Sequence, residues 1–161
     1  MQHERLHPFN TRDVYPHQTL DNDLCMVVKA GNRLFMRGQT GLDLRHRLVA
    51  SEDAAGQAAQ AMRNVTQLLE EAGSSLAHIC KVTTYITDRA YRVPVYNTVG
   101  RFLKGIPTAA TGLIVKGLAM AEMKMEIDIE AVTRTPLHTG ACVSLIRVIG
   151  SLRPLIGIRV W

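Results

Sequence analysis

The chain has 161 residues, of which 47% are hydrophobic and 20% charged, the balance of one globular, soluble domain. No stretch approaches the ~20 apolar residues of a membrane span, and Met1 to Leu6 lack the apolar core of a signal peptide, so a cytoplasmic protein is expected. The net charge of +5 owes most to residues 134–161, which hold Arg134, Arg147, Arg153 and Arg159 and no acid; the body keeps 15 basic and 14 acidic residues, and no basic stripe is interleaved with aromatics, which argues against nucleic-acid binding.

Residues 1–23 read as polar and irregular. Pro8 and Pro16 oppose regular structure, and Asn10 to Asp13 and Asp21 to Asp23 are turn formers. Tyr15 stands among them, as an anchor or as a pocket residue. Leu24 to Ala30 reads as a strand, Gly31-Asn32 as a two-residue turn, and Arg33 to Arg37 as the returning strand. Gly38-Gln39-Thr40-Gly41 follows, and glycines at a strand end let backbone approach backbone or ligand. The segment lacks either phosphate-loop pattern.

Ser51 is the expected N-cap of the clearest helix. Its apolar stripe is Ala55, Ala58, Met62, Val65 and Leu69, and Gly73 is the expected residue past its end. Ile79 to Thr87 is rich in β-branched residues and reads as a strand. Asp88 then caps a second helix over Tyr91 to Lys104, with Pro94 in the first turn. Gly112 to Leu118 reads as a strand that closes a hairpin with a final strand, Lys124 to Val132.

That final strand organises the rest. Met125, Ile127, Ile129 and Ala131 fall on one face, and Glu126, Asp128 and Glu130 on the other. Three stacked carboxylates suit either a solvated sheet face or a wet cleft in which Glu126 works. The order ββαβαββ implies an α+β fold with both helices on one face of a mixed sheet. The other face is then left for another subunit. Residues 134–161, rich in Leu, Ile, Val, Gly and Arg, read as a basic apolar appendage to a single domain over 1–133.

Three cysteines, Cys25, Cys80 and Cys142, form no CxxC pair, and Cys25 and Cys80 read as small core residues. The six histidines, His46 and His78 among them, are scattered without ligand spacing, so no metal site is expected. No GxSxG elbow supports a serine hydrolase.

The strand HICKVTTYITD, the helix PVYNTVGRFLKG, the strand MEIDIEAV and the RGQTG segment, in this order, resemble the RidA (YjgF-type) reactive-intermediate deaminase family. The resemblance runs from Asn10 to Thr133. It implies a chorismate-mutase-like fold, a homotrimer with small-molecule clefts between subunits, no cofactor, and hydrolysis of enamines or imines to a 2-keto acid and ammonia. It places the water-orienting catalytic carboxylate on Glu126, the cleft glycine on Gly38, the cleft tyrosine on Tyr15, and a cleft amide position near Tyr96 and Asn97. The family's substrate-binding arginine falls on Thr111, which cannot make a bidentate carboxylate clamp. Arg37 is either its replacement from the opposite wall or a surface arginine ending a strand. The resemblance leaves two readings: an imine hydrolase, or a trimeric metabolite-binding or regulatory module that has lost the chemistry. An interaction of the terminal arginines with membrane or nucleic acid ranks last.

Overall fold

The computed structural model describes residues 3–15, 18–49 and 53–134. Ser51 and the expected appendage from residue 135 onward lie outside the described residues.

Six strands form one sheet: β1 (Glu4–Asn10), β2 (Asp23–Ala30), β3 (Arg33–Gln39), β4 (Ile79–Ile86), β5 (Ala109–Ile114) and β6 (Met125–Val132). Among the described residues three α-helices accompany them: α1 (Thr11–Val14), α2 (Ala54–Glu71) and α3 (Arg92–Phe102). The strand order is β1-β2-β3-β6-β4-β5. The fold is α+β with a mixed sheet, as the pattern of strands and helices implies.

The final strand is the sheet's centre. It runs antiparallel to both β3 and β4, with Met36 opposite Ile129 and Thr84 opposite Ile127. Its alternation survives intact: Met125, Ile127, Ile129 and Ala131 are at most 3% exposed. They pack with Leu34, Met36, Ile79, Val82 and Ile86 against α2 and α3, so both helices cover the same face. On α2, Met62, Val65, Leu68 and Leu69 are fully buried, each contributing about 1.5–3 kcal/mol by leaving water. Asp53 caps this helix by accepting from the Ala55 N–H, and Gly73 follows it at φ 78.

Five expectations need correction. Residues 4–10 are a strand, not irregular. Pro8 is tolerated because β1 lies at the sheet edge, where a missing N–H breaks no inner ladder. The turn formers tie the same region together: the Asn10 side-chain amide donates to Asp21 and Asp23, and the Asn22 N–H donates to Thr11 Oγ1. Next, β5 and β6 make no hairpin. A helical crossover through α3 makes β5 parallel to β4, and the long connection from β5 lets β6 insert between β3 and β4. The strand itself runs Ala109–Ile114 and is exposed throughout. Asp88 caps a single 3₁₀ turn, Arg89–Tyr91, from which α3 then starts. Finally, Cys25 is only partly buried and Cys80 is exposed, so neither is a core residue.

Candidate functional site

The sheet face opposite the helices carries no covering element among the described residues. Phe35 and Leu113 stay 38% and 43% exposed there. On this face β3 contains a bulge. Met36 faces Ile129 and Gln39 faces Ile127, so Arg37 and Gly38 both stand opposite the one residue Asp128. The extra residue re-aims the end of β3 toward Glu126.

Gly38 is required by what lies against it. A Cβ built there would overlap Glu126 Oε1 and stand 2.6 Å from the carboxyl carbon. The half-buried Glu126 therefore rests directly on the bulge backbone. Burial is the main cause that holds its carboxyl above the ordinary value of 4.5; the nearby Asp128 charge adds to the rise, and Arg37 opposes it. Asp128 is itself engaged, accepting from the Tyr85 hydroxyl at 2.9 Å.

Glu126 opens into a cleft of about 230 Å³. Tyr15, Arg37 and Thr40 form its polar wall with Glu126, and Leu20, Leu24, Met120 and Met123 form an apolar wall. Arg37 Nη2 donates to the Tyr15 hydroxyl at 3.3 Å, and its guanidinium lies 5.5 Å from the Phe9 ring centroid. Among the described residues no carboxylate lies within ion-pair distance of Arg37. A half-buried guanidinium so placed is a ready partner for an anion.

Three buried amide side chains hold the frame. Asn64 of α2 donates to the Leu42 carbonyl at 2.7 Å and to Gln39 Oε1 at 3.2 Å, while Gln39 donates to the Arg37 carbonyl at 2.8 Å. Gln57 of α2 donates to the Glu122 carbonyl at 2.8 Å and accepts from the Lys124 N–H at 2.9 Å. The first network fixes the bulge, and the second fixes the loop carrying Met120 and Met123.

The structure thus brings Glu126, Arg37, Gly38 and Tyr15 together within one chain. Thr111 and Tyr96 lie elsewhere. Thr111 is exposed on the edge strand β5 and accepts from Lys81 Nζ at 2.6 Å. Tyr96 packs on the helix side of the sheet: a Cβ on Gly112 would overlap its hydroxyl, and Arg92 covers its ring at 4.8 Å. A wider depression of about 530 Å³ lies over β1 to β3, lined in part by Val28, Phe35 and Arg37. The smaller cleft joins a half-buried carboxyl to a guanidinium that has no carboxylate partner among the described residues.

Sequence reasoning overlooked Thr40, Met120 and Met123 in the lining. It also treats His46 as one scattered histidine, although its ring lies tilted against Phe9 and edge-on to Tyr15. No local signal marks these residues, because only the fold brings them to β6. No helix among the described residues is long and apolar enough to cross a membrane, and no described cluster of His, Cys, Asp and Glu could hold a metal ion.

Comparison with known proteins places the chain in a family. The model of the family described as endoribonuclease L-PSP matches residues 21–133. Protein DfrA of Myxococcus xanthus is 31% identical over 106 residues, covering 66% of this chain and 80% of that protein. A RutC family protein of Pyrococcus horikoshii is 39% identical over 62 residues, covering 38% of this chain and 49% of its own. Among solved structures, a Mycobacterium tuberculosis member of the YjgF/YER057c/UK114 family superposes with a TM-score of 0.66 at 19% identity, covering 82% of this chain and all of that one. RidA from the Antarctic bacterium Psychrobacter sp. superposes at 0.63 with 25% identity, covering 68% and 87%. The chain belongs to the endoribonuclease L-PSP family, that of the YjgF/RidA proteins.

Proposed function

We propose that the cleft binds a small 2-imino carboxylate, or the imine tautomer of a 2-enamino carboxylate, and hydrolyses it to the 2-keto acid and ammonia. The observation that carries this reading is a desolvated Glu126 carboxyl sharing one cleft with the Arg37 guanidinium, which has no carboxylate partner among the described residues. In the proposed reaction Arg37 and the Tyr15 hydroxyl hold the substrate carboxylate. Glu126 holds a water against the C=N carbon and accepts its proton as the C–O bond forms. Protonated Glu126 returns that proton to the nitrogen, giving the neutral carbinolamine. Glu126 then carries the carbinolamine hydroxyl proton to nitrogen, and ammonia leaves as the C–N bond breaks and the carbonyl forms. Activity then requires ionised Glu126, so its acid limb lies above the ordinary carboxylate value.

The open sheet face, with Phe35 and Leu113 exposed, supports assembly with further copies, and we propose the homotrimer of the family resemblance. Each cleft would then be completed by a neighbour. The position of Thr111, exposed and bonded to Lys81, favours a second reading: a cleft that binds a small carboxylate without turnover.

Ammonia release from freshly generated 2-iminopropionate separates the two. Acceleration over buffer, lost in Glu126→Ala and in Arg37→Ala, supports the hydrolase. Removing charged hydrogen bonds worth about 1.5–3 kcal/mol predicts a roughly 10- to 150-fold fall in kcat/KM for Arg37→Ala. Saturable binding of pyruvate without acceleration supports the binding module instead.

A further inference from the structure

We propose that His46 is a positioning residue for the anion-binding wall, acting through Phe9 and Tyr15 on the Arg37 guanidinium. The proposal rests on Arg37 being the anion-binding group. It starts from a turn with more bonds than its length requires. Leu42 and Leu48 bridge, and between them the Asp43 N–H donates to the Arg47 carbonyl at 2.9 Å. Asp43 Oδ1 accepts from the Arg45 and Arg47 N–H groups at 2.9 and 3.0 Å, and Oδ2 binds the Arg47 guanidinium at 2.7 Å. The His46 N–H closes the turn on the Asp43 carbonyl at 2.9 Å.

The turn holds His46 at φ 62, in the left-handed region. Glycine adopts that conformation freely, and a residue with a Cβ is strained there. What glycine would lack is the ring. The His46 ring centroid lies 5.1 Å from that of Phe9 and 5.9 Å from that of Tyr15, edge-on to the latter. Those are the two aromatic residues that hold Arg37: Phe9 under its guanidinium and Tyr15 through its hydroxyl. His46 therefore backs both supports and is not among the residues that line the cleft.

The charge state fits the placement. Burial, and then the Arg37 charge, lower the His46 pKa from 6.5, with Asp43 opposing. The ring is neutral at neutral pH and packs beside the guanidinium without repelling it. Arg37, Asp43 and Tyr15 are the ionisable groups facing it.

The test is the rate at which phenylglyoxal modifies Arg37, mapped by peptide mass spectrometry on the full chain. Wild type, His46→Gly and His46→Phe are compared, each with and without pyruvate. Loss of the aromatic contacts predicts about two- to tenfold faster labelling of Arg37 in His46→Gly, with the labelling of distant Arg101 unchanged. His46→Phe, which restores a ring, returns Arg37 toward the wild-type rate. In the imine assay His46→Gly raises KM by a similar factor and leaves kcat in place, since Glu126 is untouched. Equal Arg37 labelling in wild type and His46→Gly overturns the role of His46. So does faster labelling of Arg37 and Arg101 together, which marks general loosening. Absence of pyruvate protection at wild-type Arg37 overturns the anion-binding reading instead, and the labelling comparison tells the two failures apart.

Discussion

Gly38→Ala tests the geometry of the cleft with one methyl group. The added Cβ would stand 2.6 Å from the Glu126 carboxyl carbon and 2.9 Å from its Cγ. Non-bonded carbons prefer about 3.5–4.0 Å, so the carboxyl must retreat by about 1 Å. The clash falls on the end of a flexible side chain, and the backbone has no need to move. The stability cost is then about 1 kcal/mol, read as a Tm loss of about 2–4 °C in a chain of this size. The catalytic cost is larger, because a misplacement of about 1 Å costs roughly a hundredfold in rate. Steady-state decay of 2-iminopropionate should show kcat down about a hundredfold and KM nearly unchanged, since Arg37 stays in place. A Gly38→Ala variant with wild-type kcat would refute the role given to Glu126. Equal losses in kcat and in folded fraction would reduce Gly38 to a structural residue.

Three further outcomes follow from the same contacts. Glu126 has a raised pKa, so the native state keeps its proton where the unfolded chain has lost it. Its favourable contribution is fully present below the ordinary value of 4.5 and is lost as pH rises through the raised one. Glu126→Gln should therefore melt above wild type at about pH 8, with the gap closing toward about pH 4; parallel melting curves across that range would contradict the desolvation argument. Gln57→Leu strands the Lys124 N–H and the Glu122 carbonyl, and should cost about 2–4 kcal/mol in urea unfolding; a loss under about 0.5 kcal/mol would show that the loop needs no such tie. Gly112→Ala should destabilise by about 1–3 kcal/mol through overlap with the Tyr96 hydroxyl. Adding Tyr96→Phe should recover part of that loss in a double-mutant cycle, and additive effects would refute direct contact.

What the sequence conveyed depended on how strictly local pattern and burial agreed. In Met125–Val132 the period of two and the buried face coincide residue by residue, so the central strand was readable in full. Helix α2 was readable for the same reason, although Asp53 makes the cap. The edge strands were not. Strand β5 is exposed on both faces and shows no alternation to read, and β1 carries Pro8, which only an edge position excuses. The expected hairpin fails because adjacency in sequence is not adjacency in the sheet. A helix between β4 and β5 already demands a parallel crossover, which leaves β6 the slot beside β3. In the cleft, Glu126, Gly38, Tyr15 and Arg37 were reached through resemblance and strand register. His46 was not, because its position depends on a turn whose bonds converge on Asp43.

The central claim is that an anionic substrate is held by Arg37 with its reacting carbon before Glu126. A crystal structure of the protein soaked with pyruvate tests it most directly. The account predicts the carboxylate on the Arg37 guanidinium and the Tyr15 hydroxyl, with the carbonyl carbon facing Glu126. A carboxylate bound instead at Lys81 and Thr111, with the Arg37 cleft empty, would contradict it.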